Sequence, residues 1–159
     1  MKIIRNQNIW EYHHRQLPDW VVVTTNTVTK RNGDAVMGAG IAKDAATRYP
    51  RLPAMYGRYL RGKGPSPTAR SGVFPVYQEK LFLFPTKYDW RDKSSLELIQ
   101  TNARQLVDHM DIIAGQDDSC TPHVFLPALG CGMGGLQWEY VEPVISGLLD
   151  DRFTVILND

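Results

Sequence analysis

LPALGCGMGGLQW, residues 126 to 138, carries four glycines in six positions, between an apolar run and an amphipathic one. A tight turn needs one or two glycines. A cluster this dense points to a ligand lying against the peptide backbone itself, where side chains would stand in the way. Consecutive amides in such a loop form a concave nest of donors. A helix starting behind it adds partial positive charge. The natural guest is a phosphate or pyrophosphate.

The flanks set this loop between a strand and a helix. HVFLPAL (123 to 129) reads as a buried strand, and LQWEYVEPVISGLL (136 to 149) as a helix with Pro143 as an internal irregularity. FTVIL is a last strand. The same arrangement occurs upstream. WVVVTT (20 to 25) is a continuous β-branched run, typical of a strand covered on both faces. A long loop with a Gly-rich stretch at 33 to 40 follows, and IAKDAATRY (41 to 49) is a helix that Pro50 ends. Both glycine loops therefore follow a strand and open a helix.

The rest of the chain fits the same alternation. KIIR (2 to 5) is a short strand, and PAMYGRYLR (53 to 61) is a short helix that Gly57 is expected to interrupt. VFPVY and KLFLFPT form two strands around a turn at Gln78 and Glu79. Ser94 or Ser95 caps a long helix whose apolar stripe is Leu96, Ile99, Ala103, Leu106, Val107 and Met110. The stretch 62 to 72, rich in Gly, Pro and Ser, reads as a surface loop. Apolar strands alternating with helices predict a three-layer α/β/α fold around a central mixed sheet. Ligands in such sheets bind beyond the carboxyl ends of the strands.

Composition bounds the function. The 159 residues fit one domain spanning the chain, and 43% hydrophobic residues suffice for a real core. The net charge of +1 argues against broad, sequence-independent nucleic-acid binding while leaving room for a local basic groove. No apolar run approaches the roughly 20 residues of a membrane span, and the N-terminus lacks a signal-peptide core. Cys120 and Cys131 have no metal spacing, and their pairing is not expected, which suits a reducing cytoplasm. His13 and His14 lack a second ligand pair, so no metal is expected. Gly130, Gly132 and Gly135 also match a dinucleotide fingerprint, with Asp159 as its acid. That match is read as coincidence, because the βα units that would hold a second nucleotide do not follow.

TTNTVTKRNGDAVMGAGIAKDAATRYP and LPALGCGMGGLQW together resemble a macrodomain, the ADP-ribose-binding α/β/α fold, over nearly the whole chain. FPTKYDWRDKSSLELI resembles the matching segment of the DNA ADP-ribosyl glycohydrolase antitoxins of the DarG type. MGAGIA and GCGxxxLQW are similar to the terminal ADP-ribose glycohydrolases, more distantly. The resemblance implies that Gly38, Ala39, Gly40 and Ile41 wrap the distal ribose and its phosphate. It implies that Gly130, Cys131, Gly132, Met133, Gly134 and Gly135 cradle the pyrophosphate. Asn26 would sit near the distal ribose, or else cap its own loop. Asn8 stands where many macrodomains place an Asp that accepts from the adenine amino group; a neutral carbonyl accepts more weakly.

Lys87, in FPTK, is the implied catalytic residue. Chemically, a deprotonated Lys beside the anomeric carbon can attack it, and a charged one can stabilise a leaving base or orient the ribose. The terminal glycohydrolases pair their Lys with an Asp in the second glycine loop. Gly134 stands there in this chain, which argues against cleavage of acyl-linked ADP-ribose and for a nucleic-acid-linked substrate. Trp90 can stack on a base or else cover the sheet edge, Arg91 can meet a phosphate, and Trp138 is read as core. RYPRLPAMYGRYLRGKG holds four Arg, one Lys and three Tyr, a composition that suits a single-strand-binding face or a solvated helix.

The expected function is hydrolytic removal of ADP-ribose from a modified nucleic-acid base, with no cofactor, by a monomer. A toxin partner is possible for an antitoxin-like chain, whether free-standing or part of a longer protein. The rival expectations are a non-catalytic ADP-ribose reader and an ADP-ribose 1″-phosphate phosphatase.

Overall fold

The structure, a computed structural model, describes residues 1–13, 18–62, 70–116 and 121–159. Six strands form one sheet: β1 (Lys2–Arg5), β2 (Trp20–Thr25), β3 (Phe74–Val76), β4 (Leu81–Pro85), β5 (Val124–Pro127) and β6 (Phe153–Leu157). Their order is β1-β6-β5-β2-β4-β3. All neighbours are parallel except β3, which runs antiparallel to β4 with Phe74 opposite Leu83. The sheet is therefore mixed, as the sequence pattern predicts. The central strands read as unbroken apolar runs because both faces are covered.

Among the described residues, four α-helices cover those faces: α1 (Gly40–Arg48), α2 (Leu52–Arg61), α3 (Leu96–Gln116) and α4 (Trp138–Ser146). Val22, Phe82, Phe84 and Leu126 pack under α3 and α4. Val21, Val23, Leu81 and Leu83 pack on the other face under α1 and α2. Trp138 packs against the first cluster, as expected of a core residue. α4 runs on through Pro143.

Two expectations about the helices are corrected. α2 is not interrupted at Gly57 but runs unbroken through it. Gly57 is there because the helix backbone lies against the first glycine loop: a Cβ would overlap the carbonyl oxygen of Gly33 and stand 2.8 Å from the amide of Ala35. The stripe of α3 begins at Leu98, which is buried, while Leu96 is exposed in the first turn. Ser95 caps this helix, its Oγ accepting from the Leu98 amide at 3.2 Å. Ser94 has a different task, described below. Cys120, His14 and most of the 62 to 72 loop lie outside the described residues. Among the described residues, no helix is long and apolar enough to cross a membrane.

Candidate functional site

A cavity of about 560 Å³ opens at the carboxyl ends of β2, β4 and β5. Thr24, Thr25, Asn26 and Thr86 form its floor at the strand ends, and the two glycine loops form its opposing walls. The parallel sheet decides this. Parallel strands bring the ends of β2 and β5 to one edge, so loops far apart in sequence face each other.

The backbone amides show what the walls offer. In the first loop, the first intrahelical hydrogen bond of α1 runs from the Lys43 amide to the Ala39 carbonyl, at 3.2 Å. The amides of Gly40, Ile41 and Ala42 precede it and have no intrahelical partner. In the second loop, the amides of Cys131, Gly135 and Leu136 donate to the carbonyls of Ala128, Gly132 and Gly130. These bonds close the loop. The amides of Gly132, Met133 and Gly134 engage no other described residue. Two sets of unspent donors thus face one cavity, an arrangement suited to a pyrophosphate.

The glycines divide by cause. A Cβ on Gly38 or on Gly132 would meet nothing within 4 Å, so these positions keep the cavity open rather than the fold closed. Gly134 is the opposite case. A Cβ there would overlap Ser94 Oγ and stand 2.5 Å from the carbonyl oxygen of Gly130. The absence of an acid at 134 is therefore also a packing fact, because Ser94 fills the space. Gly38→Val is expected to leave the melting temperature within about 2 °C of wild type, since its Cβ lies in open space. It is expected to weaken ADP-ribose binding more than about tenfold; calorimetry beside a thermal melt checks both.

The predicted residues fall in different places. Gly38, Ala39, Gly40, Ile41, Gly130, Gly132, Met133 and Gly134 line the cavity. Cys131 and Gly135 do not. The Cys131 thiol is half-buried against the core, donates to the Leu129 carbonyl at 3.5 Å, and has its pKa raised by burial. The Cys131 and Gly135 amides are both spent inside the loop. Asn26 lines the cavity and also caps its loop: Nδ2 donates to the Val36 carbonyl at 3.1 Å, and Oδ1 accepts from the Val28 amide at 2.9 Å.

Asn8 faces a second cavity of about 540 Å³ that shares Ile41 and Pro127 with the first. Its Oδ1, the expected acceptor for the adenine amino group, already accepts the Trp10 amide at 3.0 Å, which spends one of its two lone pairs. Asp44, on α1, lines the same cavity and supplies a carboxylate there. Sequence reasoning missed Asp44, because only the placement of α1 against residues 6 to 10 brings it to that wall.

Lys87 is half-buried and directly follows Thr86 of the cavity floor. It is not itself among the residues of the cavity wall, and its side chain has no hydrogen bond or ion pair with the described residues. Trp90 does line the cavity and is 52% exposed. Arg91 is committed nearby: it makes two hydrogen bonds to the Asp89 carboxylate, at 2.9 and 2.8 Å, and lies 5.4 Å from the Trp90 ring centre. Those hydrogen bonds from Arg91 lower the Asp89 pKa to about 2. Thr24, Met37, Thr86, Pro127 and Ala128 also line the cavity and were not foreseen. Their signal was weak: they end strands or precede a glycine loop.

No family model matches the chain. Its sequence is 30% identical over 136 residues to a DNA ADP-ribosyl glycohydrolase of Thermus aquaticus, covering 82% of this chain and 34% of that protein. The macrodomain of Thermus aquaticus DarG superposes with a TM-score of 0.67 at 25% identity, covering 99% of this chain and 97% of that one. The macrodomain of Mycobacterium tuberculosis DarG gives 0.68 at 26% identity, with 98% and 96% covered. Thermosipho africanus DarTG, solved in complex with ADP-ribose, gives 0.66 at 22% identity, with 98% and 41% covered. The chain spans between 16% and 34% of the length of the curated relatives it matches. By its mixed sheet, its paired glycine loops and these likenesses, the chain has the macrodomain fold, and the macrodomains it resembles are of the DarG type.

Proposed function

We propose that this chain is a DNA ADP-ribosyl glycohydrolase, releasing ADP-ribose from a modified nucleic-acid base. One observation carries the reading. Two sets of unspent backbone amides oppose each other across a single cavity, and Lys87 and Trp90 stand on the segment beside its floor. The amides suit the pyrophosphate of ADP-ribose. Asn26 keeps one Nδ2 hydrogen for the distal ribose. Trp90 stacks on the base. Lys87 acts at the anomeric carbon. Attack by its Nζ would form a Lys–carbon bond as the base leaves with the bonding pair and takes a proton. Water then breaks the Lys–carbon bond and gives free ADP-ribose and the original Lys. Arg91 keeps its Nη1 hydrogens for a phosphate, but the Asp89 carboxylate that holds Nε and Nη2 offsets its charge, so its share in nucleic-acid binding is the smaller one.

The reading needs water as co-substrate, no cofactor, and a monomer acting in the cytoplasm. Its substrate would come from a DNA ADP-ribosyl transferase. That activity is fused to the glycohydrolase, by name, in a Thermosipho africanus relative, and a separate toxin carrying it would be this chain's partner. A second reading, ADP-ribose binding without turnover, is favoured by the position of Lys87 outside the cavity wall.

The test is incubation of the protein with a single-stranded oligonucleotide ADP-ribosylated on one base, followed by separation of the products. The expected result is free ADP-ribose and the restored oligonucleotide. Saturable ADP-ribose binding with no release would establish the reader instead.

A further inference from the structure

The floor of the cavity holds a hydroxyl whose hydrogen is unspent. Thr86 is 3% exposed and lines the cavity. Its backbone is fixed on both sides: its amide donates to the Thr25 carbonyl at 3.0 Å, and its carbonyl accepts the Ser95 amide at 2.8 Å. Its Oγ1 accepts a hydrogen bond from Ser94 Oγ at 3.1 Å. A hydroxyl has one hydrogen to donate and two lone pairs. Ser94 takes one lone pair, and the Thr86 hydrogen has no acceptor among the described residues. Buried polar hydrogens are rarely left so.

Ser94 explains why the hydrogen is free. Its amide donates to the Gly134 carbonyl at 2.8 Å, and its Oγ occupies the space a side chain at 134 would need. Ser94 thereby bolts the second glycine loop to Thr86 and donates to it, which turns the Thr86 hydrogen away from Ser94. Continuing the β2–β4 register one step past Thr25 and Pro85 puts Asn26 beside Thr86. Asn26 also has one Nδ2 hydrogen unspent. Two spare donors therefore stand side by side between the amide-lined walls, and one of them, Thr86, directly precedes Lys87.

We propose that Thr86 positions the ligand by donating to a hydroxyl oxygen of the sugar beyond the pyrophosphate, in concert with Asn26. The proposal rests on the ADP-ribose reading. Donors alone select for acceptor oxygens, and a sugar with free hydroxyls supplies them next to the carbon on which Lys87 acts.

The test compares ADP-ribose with ADP, which lacks that sugar, by calorimetry. Thr86→Val also strips the acceptor from Ser94 Oγ, so it is measured in a Ser94→Ala background, against Ser94→Ala alone. The expected result is ADP-ribose binding weaker by about 3- to 10-fold, the weight of one neutral hydrogen bond, with ADP binding unchanged. Thr86→Ser in the same background should restore the affinity. Equal loss for both ligands would mean that Thr86 acts only through the fold and would overturn the proposal. So would no loss for either ligand. If the wild type binds ADP but gains nothing from the added sugar, the proposal fails while the nucleotide site stands. If it binds neither, the ADP-ribose reading fails with it.

Discussion

Lys87→Ala is expected to lower the release of ADP-ribose from a modified oligonucleotide by more than about 1,000-fold in kcat, while ADP-ribose affinity changes less than about threefold. Lys87 sits off the cavity wall and is bonded to no described residue, so its loss should disturb neither the glycine loops nor the floor. An interaction made only in the transition state lowers kcat and kcat/KM together. Lys87→Arg separates the chemical roles. A guanidinium stays protonated and cannot serve as the nucleophile. An inactive Arg variant fits attack by Nζ, whereas one keeping a tenth or more of the activity would make Lys87 a charge stabiliser. A fully active Ala variant would remove Lys87 from the chemistry altogether.

Gly134→Ala should have the largest effect on both the fold and the site. Its methyl would overlap Ser94 Oγ and press on the Gly130 carbonyl, which is backbone and cannot turn aside. Overpacking of this kind costs about 1 to 3 kcal/mol, a fall in melting temperature of about 3 to 10 °C for a chain this size. The methyl also pushes the free amides of residues 132 to 134 out of register with the opposite wall. ADP-ribose binding is expected to fall more than about 100-fold. Ser94→Ala should partly rescue Gly134→Ala, because it removes one of the two clashing groups. A variant that melts and binds like wild type would show that the loop has room, and that Ser94 does not hold it.

Much of the architecture was legible in local patterns. The apolar run WVVVTT, the hairpin from VFPVY to KLFLFPT, and the stripe of the long helix each encode an element through burial and periodicity, which are properties of neighbouring residues. The first and second glycine loops were legible for the same reason. Where local rules misled, a distant contact had overridden them. Gly57 looked like a helix breaker, yet it stays helical because the helix needs a bare face against Gly33. Leu96 fits the helical period, yet it stays exposed in the first turn of α3 while Leu98 is buried.

The candidate site divides in the same way. The sequence by itself determined that two strand-to-helix loops would offer bare backbone, and the FPTK-x-x-WR segment drew attention to Lys87 and Trp90. It also carried the likeness to the DarG macrodomains. Only the tertiary structure decided which amides are spent, and so which glycines serve a ligand. Gly38 and Gly132 face open space, while Gly134 is hemmed in by a serine forty residues away in the chain. Thr86 reaches the cleft because parallel strands gather their ends at one edge of the sheet, and Asp44 reaches the second cavity because α1 packs against residues 6 to 10. Hydrogen-bond accounting needs both partners in place, and partners far apart in sequence meet only once the chain has folded.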